Sequence, residues 1–479
     1  MTELLTLHHY VDGAAIAAPT SFEHRNPADP ADLCVAFPRA DAALIDTAIG
    51  AANRACDAMR QRGIEQRADA LAAIGRGIVA EADTLAVLIA RETGKVLADA
   101  KGEVIRAARI FDFFAGETLR NVGERFASTR PGVTVEVDFA PVGVIGIITP
   151  WNFPIAIPAW KIAPAIAFGN AVVWKPSELS SATAAALMAI IARSGLPAGA
   201  VNLVLGAGDT GASLTGNAGL DAISFTGSER TGGAVRRAAT ELGIRVQTEM
   251  GGVNGLIVLA DADLDNAVEC VVNGAFYAAG QRCTATSRVI VEDAIADQLT
   301  ARIVERMKAL PMGDPRAPGT LIGPLASMGQ KERIAGQVRA IEALGLAPIM
   351  GGSGLHAPHA FFHPTLFVDA PIDSPLTHEE IFGPVAAIFR VSDFDAAIGA
   401  LNANRFGLSA GICTRSLAHA EAFKQRARAG MLMINQPTAG VDYHAPFGGM
   451  AASSYGPREQ GRLARQFYTN VKTVYQLPL

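Results

Sequence analysis

Apolar residues recur every three or four positions through much of the segment 41–125, and this period predicts amphipathic helices. The stretches DAALIDTAIGAANRACDAM and ADALAAIGRGIVAEADTLAVLIARETG carry it. Asp41 precedes the first stretch as a candidate N-cap, and Gly94 ends the second as a candidate stop. A strict alternation in PGVTVEVDF, at 131–139, instead predicts a half-exposed strand.

From Pro141 onward, short apolar runs alternate with helical stretches such as SATAAALMAIIARSG and ERTGGAVRRAAT. The predicted strands are VGVIGII, AVVWK, VNLVL, DAISF and RVQTE, followed after Gly251 by NGLIVL, SRVIVE, PVAAIF, SAGICT and MLMIN. This order predicts an α/β fold of parallel sheets covered by helices. The last alternating stretch, FYTNVKTVYQ, predicts an edge strand that is a candidate for contact with another subunit.

The uncharged stretch from Phe139 to Trp160 has about the length of a membrane span. It contains four prolines, at 141, 150, 154 and 158. These prolines would leave backbone groups without partners in lipid. A buried strand, VGVIGII, followed by a proline-rich loop is therefore the better interpretation.

The 479 residues carry a formal net charge of −5, and half of them are apolar. A globular chain of this length has room for about three domains. The charge balance gives no electrostatic reason to expect nucleic acid or an acidic membrane as partner. Five scattered cysteines without CxxC spacing, and the absence of a leader pattern in MTELLTLHHYVDG, favour a cytoplasmic protein without disulfides.

Two glycine-rich segments are candidate phosphate sites, because each stands between a predicted strand and a predicted helix. GAGDTG contains Gly208 and matches GxGxxG, but one such match is weak in a chain with 48 glycines. FTGSERTGG is the stronger candidate, since Ser228 and the first helix amides could bind a phosphate. An ordinary turn with Ser228 as N-cap is the equally supported alternative.

Polar residues follow several predicted strands, at the sheet edge where α/β proteins bind ligands. PWNFP holds Asn152 among prolines, so its amide is a candidate oxyanion donor or a simple turn residue. Lys175 and Glu178, in WKPSE, come just past another strand. Glu249, between RVQT and MGG, is a candidate base or a solvated loop residue.

Two cysteines lie near each other in the sequence but in different surroundings. Cys270 is part of the apolar helical stretch AVECVVNGAF and is a core candidate, whereas Cys283 follows the point where that helix should end. Arg282 beside the thiol would favour the thiolate. The residues alone leave Cys283 open as a nucleophile or a buried thiol, and no histidine is linked to it as in a cysteine protease.

Histidine spacing offers a weak metal candidate. His356, His359 and His363 stand in a proline-containing segment without an interleaved cysteine or carboxylate. His378, followed by Glu379 and Glu380, lacks the second histidine of a zinc-protease helix. We therefore expect no metal.

Seven motifs together resemble the aldehyde dehydrogenase superfamily and occur in that family's order. They are PWNFP, KPSE, FTGS, EMGG, GQRC, EEIFGP and PFGG. The resemblance extends from the N-terminal helices to the C terminus. It implies a Rossmann-type cofactor domain, an α/β catalytic domain and a β oligomerisation arm, with NAD or NADP as cofactor and a homodimer or homotetramer as the assembly.

The resemblance also implies domain boundaries. The helical part of the cofactor domain would occupy 1–125, an oligomerisation strand 126–140, the NAD-binding domain 141–250, the catalytic domain 251–435, and a return segment with a second oligomerisation strand 436–479. The strands Val133–Val137 and Val471–Tyr475 would form the arm.

Catalytic roles follow from the same resemblance. Cys283 would attack the aldehyde, Asn152 and the Cys283 backbone N–H would hold the oxyanion, and Glu249 would activate water. The implied cofactor residues are Ile148, Pro150, Trp151, Lys175, Glu178, Gly208, Gly227, Ser228, Glu380 and Phe382. The implied substrate pocket consists of Phe153, Trp160, Arg282, Thr284 and Phe447.

The substrate prediction depends on finer similarities. PWNFPIAIPAWK, CTATSR and PTAGVDYHAPFGG look most like 2,5-dioxopentanoate dehydrogenases, whose substrate ends in a carboxylate, and Arg282 is the nearby donor. Succinate-semialdehyde dehydrogenases commonly carry arginines where Trp160 and Tyr277 stand, so a succinate-semialdehyde substrate is less well supported.

Three further functions are compatible with these residues. They are oxidation of a different short-chain aldehyde, transfer of the acyl group to coenzyme A, and a non-catalytic binding or structural role on this fold. Glu249 favours hydrolysis over transfer to coenzyme A, and Glu178 favours NAD over NADP. The presence of Cys283 and Asn152 together with Glu249 favours an enzyme over a non-catalytic protein.

Overall fold

The computed structural model describes residues 4–354 and 358–478. The helices are α1 (Ala42–Gln61), α2 (Ile64–Ala80), α3 (Ala82–Thr93), α4 (Leu97–Leu119), α5 (Ala156–Ala167), α6 (Ser181–Ala192), α7 (Gly208–Thr215), α8 (Glu229–Leu242), α9 (Leu264–Phe276), α10 (Asp293–Lys308), α11 (Met328–Glu342), α12 (Pro375–His378), α13 (Phe394–Leu401), α14 (Leu417–Arg426) and α15 (Arg465–Tyr468). The strands are β1 (Leu5–Thr6), β2 (His9–Val11), β3 (Ala14–Ile16), β4 (Thr20–Asn26), β5 (Asp29–Pro38), β6 (Glu124–Ala127), β7 (Thr134–Pro141), β8 (Val144–Thr149), β9 (Ala171–Pro176), β10 (Val201–Leu203), β11 (Ala222–Thr226), β12 (Arg245–Glu249), β13 (Asn254–Val258), β14 (Thr286–Glu292), β15 (Pro348–Met350), β16 (Thr365–Phe367), β17 (Val385–Val391), β18 (Ser409–Cys413), β19 (Met431–Ile434), β20 (Ser454–Tyr455) and β21 (Thr469–Gln476).

The predicted helices between 41 and 125 are confirmed from α1 to α4. The Asp41 side chain accepts a hydrogen bond from the Leu44 N–H at 2.9 Å, and Gly94 ends α3 in the left-handed region at φ +75°. The second predicted stretch is two helices, because the backbone leaves helical geometry at Glu81.

The description of 1–125 as helical is wrong before Pro38. This segment forms the strands β1 to β5 instead. Most of these strands are two or three residues long or carry polar residues on both faces, so no sustained alternation marks them. The β2–β3 hairpin is stabilised by a larger sheet, because its strand β2 also pairs antiparallel with β10.

The first large sheet has eight strands in the order β20-β12-β11-β8-β9-β10-β2-β3. Its central strands β12, β11, β8, β9 and β10 are parallel, as predicted. The chain runs from β8 outward through β9 and β10, and then returns to the other side of β8 with β11 and β12. This reversal is a topological switch point, where open α/β sheets bind their ligands beyond the carboxyl ends of the strands.

The second large sheet has seven strands in the order β15-β16-β17-β14-β13-β18-β19. All its pairs are parallel except β15 with β16. Each large sheet packs against its own group of buried apolar side chains, so the molecule has two main hydrophobic cores.

The uncharged stretch 139–160 is divided among the end of β7, the strand β8, a short loop and the start of α5. The buried strand predicted there is confirmed, and Pro158 falls in the first turn of α5, where its missing N–H costs little. Among the described residues, no helix is both long and apolar enough to cross a bilayer.

A separate three-stranded antiparallel sheet, in the order β21-β7-β6, contains the two strands predicted for oligomerisation. β21 pairs with β7 of the same chain from Thr469 opposite Pro141 to Gln476 opposite Thr134. We call this sheet the arm.

Candidate active site

The loop carrying Cys283 is held in an unusual backbone path after α9. Ala278 and Ala279 have φ angles of +54° and +52°, a region that costs energy for residues with a side chain. A Cβ at Gly280 would collide with the carbonyl of Gly383, so only glycine allows this approach. Cys283 is the one partly exposed cysteine among the five, all of which lie in the described residues.

Two hydrogen bonds fix the position of this loop. The Asn254 side chain, at the start of β13, donates to the carbonyls of Cys283 at 2.8 Å and Ala285 at 2.9 Å. Cys283 itself packs against the apolar side chains of Leu408, Met431 and Phe447.

The surroundings of the Cys283 thiol favour its protonated form. Burial raises the pKa of Cys283 to about 12, and the charges of Glu380 and Glu249 act on it in the same direction. The expectation that Arg282 favours the thiolate is wrong, because its guanidinium turns toward Asp99, at 3.7 Å, and Asn273, at 3.3 Å. Attack by this thiol therefore requires a proton acceptor.

Asn152 lies against the Cys283 loop. Its side-chain Nδ2 donates to the carbonyl of Gln281 at 3.1 Å, and its Oδ1 is buried without a hydrogen-bond partner. The Asn152 carbonyl accepts from Lys95 Nζ at 2.6 Å. A buried amide held on two sides is suited to donate to a developing negative charge.

A buried ion pair that was not expected from the sequence supports Asn152. Lys95 pairs with Glu103 of α4, and the other oxygen of Glu103 accepts the backbone N–H groups of Ile155 at 3.0 Å and Ala156 at 3.1 Å. The sequence feature that could have indicated this pair is Glu103 itself, because a charged residue on the apolar face of a helix needs a buried partner.

Glu249 ends β12, as predicted, and is almost fully buried. Ser454 Oγ donates to its Oε2 at 2.6 Å. Burial raises the pKa of Glu249 to about 8, and the charge of Glu459 adds to this, whereas Ser454, Lys161 and Arg458 act against it. A carboxyl group with a pKa near neutrality can both accept and release a proton.

Behind Glu249 lies a second buried ion pair that was also not expected from the sequence. Lys161, on α5, contacts Glu459 and donates to Ser224 Oγ at 2.8 Å. Lys161 has no solvent exposure, and one oxygen of Glu459 is buried without a hydrogen-bond partner. The sequence feature that could have indicated this pair is the position of Lys161 directly after the apolar run PIAIPAW.

Four of the five predicted substrate residues lie around the thiol or Asn152. Trp160 and Phe447 stack at 5.2 Å between ring centroids, and Phe447 belongs to the apolar cluster against which Cys283 packs. Phe153 lies under Lys95, with its ring centroid 3.9 Å from Nζ, and Thr284 is buried beside Cys283. The fifth, Arg282, turns toward α4 as described above.

The predicted cofactor residues gather at the carboxyl ends of the parallel strands around the switch point. Ile148 of β8 lies in register with Lys175 of β9 and with Phe225 of β11. Lys175 Nζ is buried, lies 3.7 Å from the half-exposed Glu178, and burial lowers the pKa of Lys175. Gly211 packs beside the Lys175 side chain, since an ideal Cβ on this glycine would lie 3.8 Å from Lys175 Cδ. The GAGDTG segment therefore lies at the same edge, together with Gly208, the first residue of α7.

Ser228 is the N-cap of α8, as one interpretation predicted. Its side chain accepts from the Thr231 N–H at 3.3 Å, directly after Gly227. The hydroxyl of Thr226 at the end of β11 is buried without a hydrogen-bond partner. The Thr226 hydroxyl and the buried Lys175 ammonium thus lie at the switch point with capacity for further hydrogen bonds. This arrangement fits a polar ligand such as a dinucleotide.

The remaining predicted cofactor residues lie between this edge and the thiol. Glu380 accepts the Gly252 N–H at 3.0 Å, and burial raises the pKa of Glu380 to about 7. Trp151, which follows Pro150 at the end of β8, contacts Phe382 edge-on at 5.7 Å. Phe382 has a φ angle of +54°, so this contact depends on a strained backbone.

Of the three candidate metal ligands, His356 lies outside the described residues. Across 4–354 and 358–478, no group of three or more histidine, cysteine, aspartate or glutamate side chains is arranged to hold a metal ion.

A thiol, a side-chain amide and a carboxyl group with a raised pKa thus meet beside a dinucleotide-type sheet. This fold and site are typical of enzymes that combine thiol chemistry with a nucleotide cofactor.

Comparison with known proteins assigns the family. The chain matches the Aldehyde dehydrogenase family over residues 15–474. It is 36% identical to an alpha-ketoglutaric semialdehyde dehydrogenase of Bacillus subtilis strain 168 (100% of this chain, 99% of the relative) and 37% identical to an alpha-ketoglutarate semialdehyde dehydrogenase of Haloferax volcanii (98% of each). The crystal structure of an NAD-dependent aldehyde dehydrogenase from Sinorhizobium meliloti is 32% identical, with a TM-score of 0.96 over 99% of this chain and 95% of that one. The chain belongs to the aldehyde dehydrogenase family, and the predicted fold class and NAD(P)-dependent oxidation of an aldehyde are confirmed.

Proposed function

We propose that the protein oxidises 2,5-dioxopentanoate to 2-oxoglutarate, with NAD as the hydride acceptor and water as the second reactant. The observation that carries the chemistry is the convergence of Cys283, Asn152 and Glu249 on one site. The substrate is supported by the names of the two relatives above, which match this chain along nearly its whole length.

In the first half-reaction, the Cys283 sulfur adds to the aldehyde carbon, and Asn152 Nδ2 donates to the oxygen that becomes negative. The carboxylate form of Glu249 is the acceptor for the thiol proton, because it lies near enough for its charge to raise the pKa of Cys283. A bound nicotinamide supplies the acceptor for the hydride that leaves the same carbon. A thioester on Cys283 remains.

In the second half-reaction, Glu249 takes a proton from a water molecule, whose oxygen attacks the thioester carbon. The carbon–sulfur bond breaks, the acid leaves, and the Cys283 sulfur recovers a proton. An enzyme that transfers its acyl group to coenzyme A gains from lacking such a base, so Glu249 supports hydrolysis.

NAD is proposed over NADP because Glu178 lies near the place of the adenosine ribose in this scheme. Its carboxylate can accept hydrogen bonds from ribose hydroxyls and repels a 2′-phosphate. Lys175, at 3.7 Å, offsets part of that repulsion. The preference is therefore expected to be moderate.

An assay of several aldehydes with both cofactors tests the proposal. The expected result is the highest kcat/KM with 2,5-dioxopentanoate and NAD, and 2-oxoglutarate as the only acid product. Efficient oxidation of long apolar or aromatic aldehydes in preference to short oxo-acids would overturn the substrate. An acyl-coenzyme A product would overturn hydrolysis, and a kcat/KM for NADP equal to that for NAD would overturn the cofactor preference.

The arm supports a proposed homodimer or homotetramer. Residues directly opposite each other in antiparallel strands share a face, and the pairs Phe126–Val135, Val135–Tyr475 and Phe139–Val471 therefore lie together. Val471 is 64% exposed and Tyr475 61% exposed. An exposed apolar sheet face of this kind is suited to cover a second subunit. A cytoplasmic location is proposed from the scattered free cysteines.

A further inference from the structure

Arg106 is a half-buried arginine near the active site that neither the motifs nor the proposed mechanism uses. Within residues 4–354 and 358–478 it has no hydrogen bond and no ion pair. Burial lowers the pKa of Arg106, which means that its guanidinium has lost part of its hydration. An arginine with five donors and little water is prepared to receive an anion.

The position of Arg106 follows from the contacts of α4. Asp99, Arg106 and Phe113 are spaced by seven residues and share one face of this helix. Asp99 contacts Arg282, next to the nucleophile, and Phe113 contacts Tyr443 at 6.5 Å. Arg106 therefore lies between the Cys283 loop and the segment that leads to Phe447, and these two segments meet at the thiol.

The surrounding charges leave Arg106 available. The charges that act on Arg106 come from Glu103 and Asp442, and its own charge acts on Arg282. Glu103 is neutralised by Lys95, and Asp442 is an exposed side chain that solvent screens. Asp99 is similarly engaged by Arg282. The unsatisfied charge of this region is thus positive and centred on Arg106.

We infer that Arg106 is the specificity-determining residue that binds the distal carboxylate of the substrate, with Arg282 as the second positive charge behind it. This inference rests on the proposed function and deepens it. A five-carbon oxo-acid presents its aldehyde to Cys283 and its carboxylate to the α4 face of the pocket. Arg282 alone is a poorer donor, because Asp99 and Asn273 already contact its guanidinium.

The test measures Arg106→Met, Arg106→Lys and the matched control Arg109→Met, which replaces an exposed arginine one turn further along α4. Each protein is assayed with 2,5-dioxopentanoate, with neutral pentanal and with cationic betaine aldehyde. Arg106→Met is expected to lose about 10- to 100-fold in kcat/KM on the anion only, mainly through KM, as for a lost charged hydrogen bond. Arg106→Lys should lose less, since it keeps the charge, and Arg109→Met should resemble the wild type.

The outcomes separate this inference from the proposed function. If the wild type prefers the anionic aldehyde and Arg106→Met lowers all three substrates equally or none, the inference is overturned and the proposed substrate stands. If the wild type shows no preference for the anion, both are overturned. Thermal unfolding and the pentanal rate report on folding of Arg106→Met, and a selective loss in Arg106→Lys supports the inference even where the methionine variant is unstable.

Discussion

At the scale of single residues, the buried carboxyl groups of Glu249 and Glu459 set the pH dependence expected for the proposed mechanism. Burial raises the pKa of both, and the charge of Glu459 further disfavours ionisation of Glu249. The charge of Lys161 lowers the pKa of both carboxyl groups. Because Glu249 must be ionised to accept a proton, hydrolysis of the thioester should accelerate as the pH rises through about 8.

Glu459→Gln should move this pH dependence toward acid. The substitution removes the charge that raises the pKa of Glu249 and leaves the buried Lys161 cation to lower it further. The midpoint of the pH profile of the deacylation rate is expected to fall by about one pH unit. Stopped-flow measurement of that rate from pH 6 to 10 checks this.

Glu241→Gln, which changes an exposed carboxylate of α8, is the matched control and should leave the profile unchanged. A profile for Glu459→Gln that coincides with that of the wild type would show that Glu459 does not influence the base.

The motif residues could be placed from the sequence because polar residues after buried strands collect at one edge of a parallel sheet. The direction of the Arg282 side chain could not, since it depends on Asp99 and Asn273 on other helices. The pairing of Lys161 with Glu459 joins residues 298 positions apart and is likewise a consequence of the tertiary fold.

At the scale of elements, the strands β8 to β14 and β17 to β19 of the two large sheets were predictable, because continuous apolar runs bounded by helices have few competing structures. The strands β1 to β5 were not, because their pairing with each other and with β10 supplies what their own sequence lacks. The arm strands β7 and β21 were predicted from alternation alone.

The arm gives the prediction at this scale. Val471→Lys with Tyr475→Lys places two charges on its apolar face and should convert the proposed oligomer into a smaller species. Light scattering after size-exclusion chromatography measures the change in mass.

Val474→Lys is the matched control, because Val474 lies opposite Glu136 on the other face of the same strand. This variant should keep the wild-type mass. An unchanged mass in the double variant would assign assembly to a different surface.

At the scale of the whole molecule, the site depends on both large sheets. Glu249 comes from the end of β12 in the first sheet, whereas Cys283 precedes β14 in the second. The segment 447–459 connects them, since Phe447 is part of the apolar cluster that packs against Cys283, and Ser454 donates a hydrogen bond to Glu249. The parallel sheets of both halves could be predicted from the sequence, but their meeting at one site was indicated only by the family motifs.

The central claim is that Cys283 carries an acyl group that Glu249 removes. Glu249→Gln, incubated with NAD and 2,5-dioxopentanoate, tests it most directly by mass spectrometry of the intact protein and of its peptides. We expect one burst of NADH per site and an acyl adduct on the peptide that contains Cys283, and we expect no adduct in Cys283→Ala. Steady turnover of Glu249→Gln at the wild-type rate, or a burst without any adduct on Cys283, would contradict it.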